Sequence, residues 1–222
     1  MPTITARRYE MLVFDWDGTL MDSTTAIATC IQAAARDLGL PVPDFERASH
    51  VIGLGLKEAL AYAVPELEEK DYGKLTERYR YHFLARGDAT PLFPGTVEML
   101  SGLSEGGHIL AIATGKSTQG LERALKATGI AGHFAGMRCA DRCAPKPAPD
   151  MLHELMDEFA VRPEHTLMIG DTTHDLQMAA NAGVQALAVC QGAHPREVLM
   201  QLNPLACVAG TAELAQWLRR HG

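Results

Sequence analysis

Short apolar runs recur along this chain, and turn-forming or polar residues bound each of them. The runs that stand out cover residues 11–14, 109–113, 166–169, 186–190 and 206–209. Strands of a parallel sheet are covered on both faces, so they read as continuous apolar runs rather than as an alternation. The five runs therefore predict five buried strands of a parallel sheet.

Helical patterns lie between these runs. Apolar residues recur at three- and four-residue spacing over 97–103, over 121–128 before Gly129, and over 152–159. A last stripe follows Thr211, which we expect to be the N-cap of the final helix. Strands that alternate with helices predict an α/β fold with a doubly wound, mostly parallel, Rossmann-like sheet.

One long segment breaks the alternation. Residues 22–86 contain helical stripes and no convincing strand. The first stripe has Asp22 or Ser23 as its N-cap and is closed by Gly39. We expect a small helical cap domain over 22–86, inserted into a catalytic core made of 1–21 and 87–222.

Composition and charge restrict the partners. The chain has 222 residues and a formal net charge of −7, which argues against nucleic acid and against an anionic membrane surface. No apolar run approaches the roughly 18 residues of a membrane span or resembles a signal peptide, so we expect a cytoplasmic protein. The five cysteines form no CxxC pair, and we interpret them as structural rather than metal-binding.

Polar clusters follow three of the predicted strands. They occupy residues 15–19, 114–117 and 170–175, and Lys146 lies in a proline-rich loop over 144–149. In an open parallel sheet, ligands bind outside the carboxyl ends of the strands. Although they are about a hundred residues apart in sequence, we expect these groups to converge in space.

The residue types in the clusters indicate a chemistry. Four carboxylates, those of Asp15, Asp17, Asp171 and Asp175, would repel one another strongly unless a cation neutralised them, and an all-oxygen ligand set favours Mg²⁺ over zinc. A threonine hydroxyl, a lysine and backbone N–H groups can cradle a phosphate. A carboxylate facing that phosphate can act as a nucleophile, while a second carboxylate protonates the leaving alkoxide.

Two nucleotide-binding motifs are only partly present. Gly115-Lys116-Ser117 matches the end of a P-loop, but position 110, where its first glycine belongs, is Leu110. Gly53-Leu54-Gly55 matches the start of a dinucleotide-binding fingerprint, but position 58 is a glutamate and no strand precedes the glycines. Neither motif therefore supports nucleotide binding.

The ordered set of motifs resembles the haloacid dehalogenase superfamily, in the branch of phosphoglycolate phosphatases with a helical cap. Residues 15–19 match the motif DxDGT, Thr114 the second motif, Lys146 the third, and residues 170–175 the fourth, GDxxxD. The resemblance covers essentially the whole chain, and the four motifs together are very specific.

The resemblance implies a role for each matched residue. Asp15 would be the nucleophile and a Mg²⁺ ligand, and Asp17 the general acid and base, which also binds the metal through its carbonyl oxygen. Asp171 would be a further metal ligand, and Asp175 would support the metal site. The phosphoryl group would be bound by three residues: Thr114, Gly115 and Lys146.

Details of the motifs separate the branches of the superfamily. The second aspartate of the first motif is absent from the dehalogenase and phosphonate-cleaving branches. In this chain it is present as Asp17, which favours a phosphatase. Sugar-phosphate mutases of the β-phosphoglucomutase type usually have a cap histidine about a dozen residues after the nucleophile, and residues 24–29 contain none. Gly115 stands where phosphoglycolate phosphatases often have asparagine. A mutase and a non-catalytic interaction module on the same fold remain the alternatives.

Substrate choice is expected to depend on the cap. The turn over 50–57 is bracketed by glycines and is a candidate for the loop that faces the site. His50 and Lys57 are then candidate contacts to a second anionic group of a small phosphorylated metabolite. A plain helix–helix connection is the other interpretation of this turn. The sequence leaves open whether the protein is a monomer or a homodimer.

Overall fold

Six parallel strands form one sheet in the computed structural model, which describes residues 8–86 and 90–222. The strands are β1 Met11–Phe14, β2 Ile109–Thr114, β3 Gly136–Cys139, β4 Thr166–Gly170, β5 Gln185–Val189 and β6 Cys207–Val208. Their order in the sheet is β3-β2-β1-β4-β5-β6, and every pairing is parallel. The predicted α/β fold with a Rossmann-like sheet is confirmed.

The five predicted strands are present, with ends shifted by one residue in four of them. The strand β3 was missed. Its sequence is Gly-Met-Arg-Cys, and Arg138 in its middle pairs with Glu154 and Glu158 at 2.6 and 2.8 Å. Because β3 lies at the sheet edge and carries this partly exposed ion pair, it has no continuous apolar run to reveal it.

Alternate residues of the central strand fill two separate cores. Leu12 and Phe14 belong to the apolar cluster on one face of the sheet, and Met11 and Val13 belong to the cluster on the other. All four side chains are fully buried. This two-sided burial is the physical reason for the unbroken apolar run that predicted β1.

Helices follow the predicted arrangement. Those between β1 and β2 are α1 Thr24–Asp37, α2 Phe45–His50, α3 Leu56–Ala63, α4 Tyr72–Ala85 and α5 Thr96–Glu105. Those after β2 are α6 Thr118–Thr128, α7 Asp150–Phe159, α8 Thr173–Asn181, α9 Arg196–Met200 and α10 Thr211–His221. None of the helices in the described part of the chain is long and apolar enough to cross a membrane.

The segment over 22–86, here called the helical segment, has its own apolar cluster. Ile31 of α1 and Leu75 of α4 are among its most buried members. The division at residue 87 and the first seven residues of the proposed core lie outside the described residues.

Two predicted helix caps need correction. Ser23 does occupy the N-cap position of α1, but its hydroxyl makes no capping hydrogen bond and donates to Asp17 instead. Thr211 is the first residue of α10 rather than its N-cap, because Gly210 holds that position and the Thr211 hydroxyl bonds with the side chain of Gln191. Both hydroxyls make tertiary contacts that a local pattern does not reveal.

The cysteines do not take part in a candidate metal cluster among the described residues. Cys190 and Cys207 form a disulfide next to the β5–β6 pair. Cys30 and Cys139 are buried free thiols, and Cys143 is partly exposed. The interpretation of the cysteines as structural residues stays a prediction.

Candidate active site

The loops that follow β1, β2 and β4 meet at one edge of the sheet. Strand β1 lies between β2 and β4, and Phe14 is in register with Ile112 on one side and Ile169 on the other. The backbone N–H of Asp15 continues this ladder, because it donates to the Ile169 carbonyl at 2.9 Å. The first residue of the DxDGT motif is therefore anchored to the strand that carries the GDxxxD motif.

Three carboxylates and one lysine form a buried cluster at this edge. Asp15, Asp171 and Asp175 each place a carboxylate oxygen within 4.8 Å of the other two. The ammonium of Lys146 donates to Asp15 Oδ1 at 2.5 Å and to Asp175 Oδ1 at 2.6 Å. All four side chains are essentially inaccessible to water. The sequence prediction that these four groups converge is therefore seen in the structure.

Burial and mutual repulsion disfavour the charges of the carboxylates. Burial raises the pKa of Asp15 well above its usual range, the charge of Lys146 opposes this shift, and the charges of Asp175 and Asp171 add to it. Burial, reinforced by the charge of Asp175, raises the pKa of Asp171 to about 7. Burial also works against the charge of Lys146, but Asp15 and Asp175 outweigh it and raise the pKa of Lys146. In the described chain, the single ammonium of Lys146 thus opposes the negative charges of three carboxylates.

A divalent cation fits this excess of negative charge. Within the described chain, Asp15 Oδ2 is a buried oxygen without a hydrogen-bond partner. Buried polar atoms rarely stay unpaired, and such atoms often mark the place of an ion or ligand. Because the surrounding donor atoms are carboxylate oxygens, the cluster suits a hard cation.

The fourth motif holds its two aspartates through separate contacts. Asp171 accepts hydrogen bonds from the Thr19 hydroxyl and from the Ala193 N–H, both at 2.7 Å. Asp175 lies in the first turn of α8, where it forms a capping box with Thr172. The Thr172 hydroxyl and N–H donate to Asp175 Oδ2 at 2.7 and 3.0 Å, so Oδ1 is left for Lys146.

Gly18 allows the first motif to lie against Asp171. Its φ angle is +86°, in the left-handed region that favours glycine, and a Cβ atom there would lie 2.2 Å from Asp171 Oδ2. The glycine of DxDGT is therefore required both by its backbone conformation and by the close approach of a carboxylate.

Asp17 has different partners from Asp15. Its Oδ1 atom accepts a hydrogen bond from the Ser23 hydroxyl at 2.6 Å and lies 2.9 Å from the ammonium of Lys116. Lys116 also lies over the ring of Phe83 in α4, 5.0 Å from its centroid. The side chain of Asp17 is thus held by Ser23 and Lys116, next to the helical segment.

The second motif faces the helical segment. Thr114 is buried, and its hydroxyl accepts a hydrogen bond from the Lys116 N–H at 3.2 Å. The next residue, Gly115, touches the turn between α2 and α3: a Cβ atom there would lie 2.2 Å from the Leu54 carbonyl oxygen and 2.6 Å from that of Gly53. The glycine-bracketed turn is therefore packed directly on the loop that follows β2.

The two proposed specificity residues lie in different surroundings. The ring of His50 stacks on that of His194, with centroids 4.5 Å apart, while its carbonyl oxygen accepts hydrogen bonds from His194 and His174 at 2.9 and 3.0 Å. Burial lowers the pKa of His174 and lowers that of His194 to about 4. Lys57 is exposed and lies 3.7 Å from Glu69. His50 thus joins the helical segment to the core, and Lys57 lies at the surface.

A cavity of about 340 Å³ lies between the helical segment and the core. Asp17, Gly115 and Lys116 line its core side, and Lys57 is also among its lining residues. Asp15, Thr114, Lys146, Asp171 and Asp175 are not lining residues. The cavity is therefore bordered by Asp17 and not by the buried carboxylate–lysine cluster.

Several contacts of the site were not predicted from the sequence. Ser23, Thr19 and Ala193 hold the aspartates, and Lys116 was interpreted only as the end of an incomplete P-loop. Thr19 belongs to DxDGT itself and Ser23 follows four residues later, so the motif was a signal that both lie at the site, but it did not indicate their hydrogen-bond partners. Ala193 acts through its backbone N–H, which no side-chain pattern can reveal.

Comparisons with known proteins agree with this arrangement. A family model described as haloacid dehalogenase-like hydrolase matches residues 12–189. The chain is 34% identical to a protein of Dickeya dadantii named probable phosphatase IndB, over 92% of this chain and 91% of that protein. It is 30% identical to a phosphoglycolate phosphatase of Agrobacterium fabrum, over 82% and 81%.

A solved structure supports the same assignment. A haloacid dehalogenase-like family hydrolase from Streptococcus pneumoniae superposes with a TM-score of 0.82 at 27% identity, covering 95% of this chain and 98% of that one. The resemblance recognised in the four motifs is thereby confirmed. The chain belongs to the haloacid dehalogenase-like hydrolases.

Proposed function

We propose that this protein is a magnesium-dependent phosphatase that hydrolyses small phosphate monoesters through an aspartyl-phosphate on Asp15. One observation carries the proposal. The buried carboxylate of Asp15 has one oxygen on Lys146, while its other oxygen lacks a partner in the described chain. A carboxylate held in this way, beside two further carboxylates, keeps one oxygen free of protein donors, as a nucleophile or a metal ligand requires.

The metal would be held by oxygen atoms of the first and fourth motifs. Asp15, Asp171 and the backbone carbonyl of Asp17 would be its protein ligands, with Asp175 in support. When bound, Mg²⁺ would neutralise the carboxylates and the charge of the phosphoryl oxygens. The fit rests on the cluster of three acidic side chains and on the unpaired Asp15 Oδ2.

The two aspartates of the first motif would divide the chemistry. The Asp15 carboxylate attacks phosphorus, and the bond between phosphorus and the leaving oxygen breaks. Asp17 gives its proton to that oxygen, and the alcohol departs. Asp17 then takes a proton from a water molecule as the water attacks the aspartyl-phosphate, which releases inorganic phosphate and restores Asp15.

The phosphoryl group would be bound by the second and third motifs. The Thr114 hydroxyl and the Gly115 N–H would donate hydrogen bonds to its oxygens. Lys146 would balance its charge while keeping Asp15 in place, as the 2.5 Å contact between the two suggests. We further propose that residues 22–86 act as a cap over a core of 1–21 and 87–222. The packing of the Gly53–Gly55 turn on Gly115 supports this role.

The substrate class is a small phosphorylated metabolite. Phosphoglycolate is the first ester to test, because the Agrobacterium fabrum relative is named for it. A phosphomutase or a non-catalytic interaction module on the same fold would use the same scaffold. The intact set of Asp15, Asp17, Thr114 and Lys146 favours a hydrolase over an inactive module.

The test is hydrolysis of p-nitrophenyl phosphate with Mg²⁺ and then with EDTA. We expect turnover in magnesium, loss of it in EDTA, and recovery when Mg²⁺ is added back. The variant Asp15→Asn should lose at least a thousandfold in kcat and keep the circular dichroism spectrum of the wild type, because the nucleophile is removed while the side-chain volume is kept. A wild-type protein that is folded and inactive in magnesium would favour the non-catalytic module.

A further inference from the structure

The cavity beside Asp17 is placed to receive the leaving group of the ester. Asp17 lines it, whereas Asp15 and Lys146, the proposed nucleophile and its partner, do not. Because Asp17 is proposed to protonate the leaving oxygen, the cavity begins where the alcohol part of the substrate would lie. Its chemistry therefore indicates which alcohols fit.

The helical segment supplies apolar walls to this cavity. Ile27 and Ile31 come from α1, Leu54 from the turn, and Tyr79 and Phe83 from α4. The core supplies Gly115 and Gly120, which have no side chains to fill the space. The volume of 340 Å³ lies at the lower end of the roughly 300–1,000 Å³ of pockets that bind drug-sized ligands. This space exceeds what the two-carbon leaving group of phosphoglycolate needs.

The charged residues that line the cavity are Asp17, Lys116 and five exposed residues, which are Lys57, Glu58, Arg80, Arg123 and Asp141. Lys116 lies inside, but its ammonium is 2.9 Å from Asp17 and rests over the ring of Phe83. Arg80, Arg123 and Lys57 also line the cavity, and all three are exposed to solvent. A second anionic group inside would therefore have to compete with Asp17 for Lys116.

From these walls and charges we infer that the preferred substrate is a phosphate monoester whose leaving group is an uncharged, apolar body about the size of a six-carbon chain or ring. This inference rests on the proposed phosphatase activity and names the substrate class of that same site. Each methylene group buried against the apolar walls should raise kcat/KM about fourfold. Phosphoglycolate, which is short and carries a carboxylate, is then a poor substrate.

The experiment compares ethyl, butyl and hexyl monophosphates in saturating Mg²⁺. Their leaving alcohols have nearly the same acidity, so differences in kcat/KM report the cavity rather than the chemical step. We expect kcat/KM to rise on the order of a hundredfold from ethyl to hexyl phosphate. Phosphoglycolate should rank below butyl phosphate.

Two variants with a substitution in α4 test whether the cavity causes the dependence of kcat/KM on chain length. Phe83→Ala removes a wall and should flatten the dependence on chain length. Tyr81→Ala is the matched control, because Tyr81 lies in the same helix, is 60% exposed and is outside the cavity, so the dependence should persist. The dependence is a ratio measured within each variant, so a smaller amount of folded protein does not alter it.

The outcomes separate this inference from the proposed function. Hydrolysis of ethyl phosphate and phosphoglycolate without any gain for longer chains would overturn the inference and leave the phosphatase intact. An increase of kcat/KM with chain length that is the same in Phe83→Ala as in the wild type would also overturn the inference. If no ester is hydrolysed, the proposed function fails and the inference fails with it.

Discussion

Asp15 and Asp17 are two positions apart, yet their side chains have different surroundings. Asp15 contacts Lys146 and belongs to the buried acidic cluster, whereas Asp17 contacts Ser23 and Lys116 beside the cavity. In the proposed mechanism, Asp15 attacks phosphorus and Asp17 transfers the proton. The different contacts of the two side chains are consistent with this proposed division of roles.

The contact between Ser23 and Asp17 gives a prediction at this scale. Ser23→Ala removes the donor 2.6 Å from Asp17 Oδ1 and leaves that carboxylate less well oriented. We expect kcat for an alkyl phosphate to fall about tenfold, within the contribution that general acid catalysis makes. The fall for p-nitrophenyl phosphate should be smaller, because its leaving group needs little protonation.

A matched control exists in the same helical segment. Ser49 is also a buried serine, and in the described chain its hydroxyl makes no hydrogen bond. Ser49→Ala should leave the ratio of kcat for the alkyl phosphate to kcat for p-nitrophenyl phosphate at the wild-type value. Equal losses for both esters in Ser23→Ala would mean that Ser23 supports the fold and does not orient Asp17.

At the scale of elements, the order of the strands brings the motifs together. The strands β2, β1 and β4 are neighbours in the sheet, so the loops after them share one edge. The sequence could predict that these loops lie close together, because each strand is a buried apolar run followed by polar residues. It could not predict β3, whose residue Arg138 forms ion pairs at the sheet edge.

The turn between α2 and α3 gives a prediction at this scale. Gly115→Ala would place a methyl group 2.2 Å from the Leu54 carbonyl oxygen, so the turn must move away from the site. A displacement of about 1 Å in a positioned group can cost on the order of a hundredfold in rate. We expect a loss of that order in kcat/KM for p-nitrophenyl phosphate.

The control for this variant is Gly102→Ala in α5. A Cβ atom at Gly102 has no neighbour within 4 Å, so the same chemical change meets no obstacle there. The control should keep wild-type kcat/KM. Wild-type activity in Gly115→Ala would show that contact between the turn and the loop after β2 is not needed for catalysis.

At the scale of the whole molecule, the candidate site joins residues from both ends of the chain. Lys146 lies 131 positions from Asp15, and Thr19 lies 152 positions from Asp171. The order of the four motifs could predict the first contact. The second could not be predicted, because the hydroxyl of Thr19 bonds with Asp171 only once the two loops are packed together.

The cavity also emerges only from the assembled molecule. Its apolar walls come from α1, α4 and the turn before α3. In the sequence, the side chains of these elements look like ordinary residues of helix packing. The sequence indicated the turn over 50–57 as the loop that faces the site, with His50 and Lys57 as candidate substrate contacts, and these roles stay predictions. In the structure, His50 packs on His194, and Lys57 is exposed near Glu69.

In the proposed mechanism the phosphoryl group forms a covalent bond with Asp15, and chemical trapping can detect that bond. The protein is mixed with p-nitrophenyl phosphate and Mg²⁺, quenched with acid during turnover and reduced with borohydride, which converts an aspartyl-phosphate to homoserine. We expect homoserine at position 15 by peptide mass spectrometry, and none without substrate or in Asp15→Asn. Steady turnover with no modified residue, or with the modification on another aspartate, would contradict it.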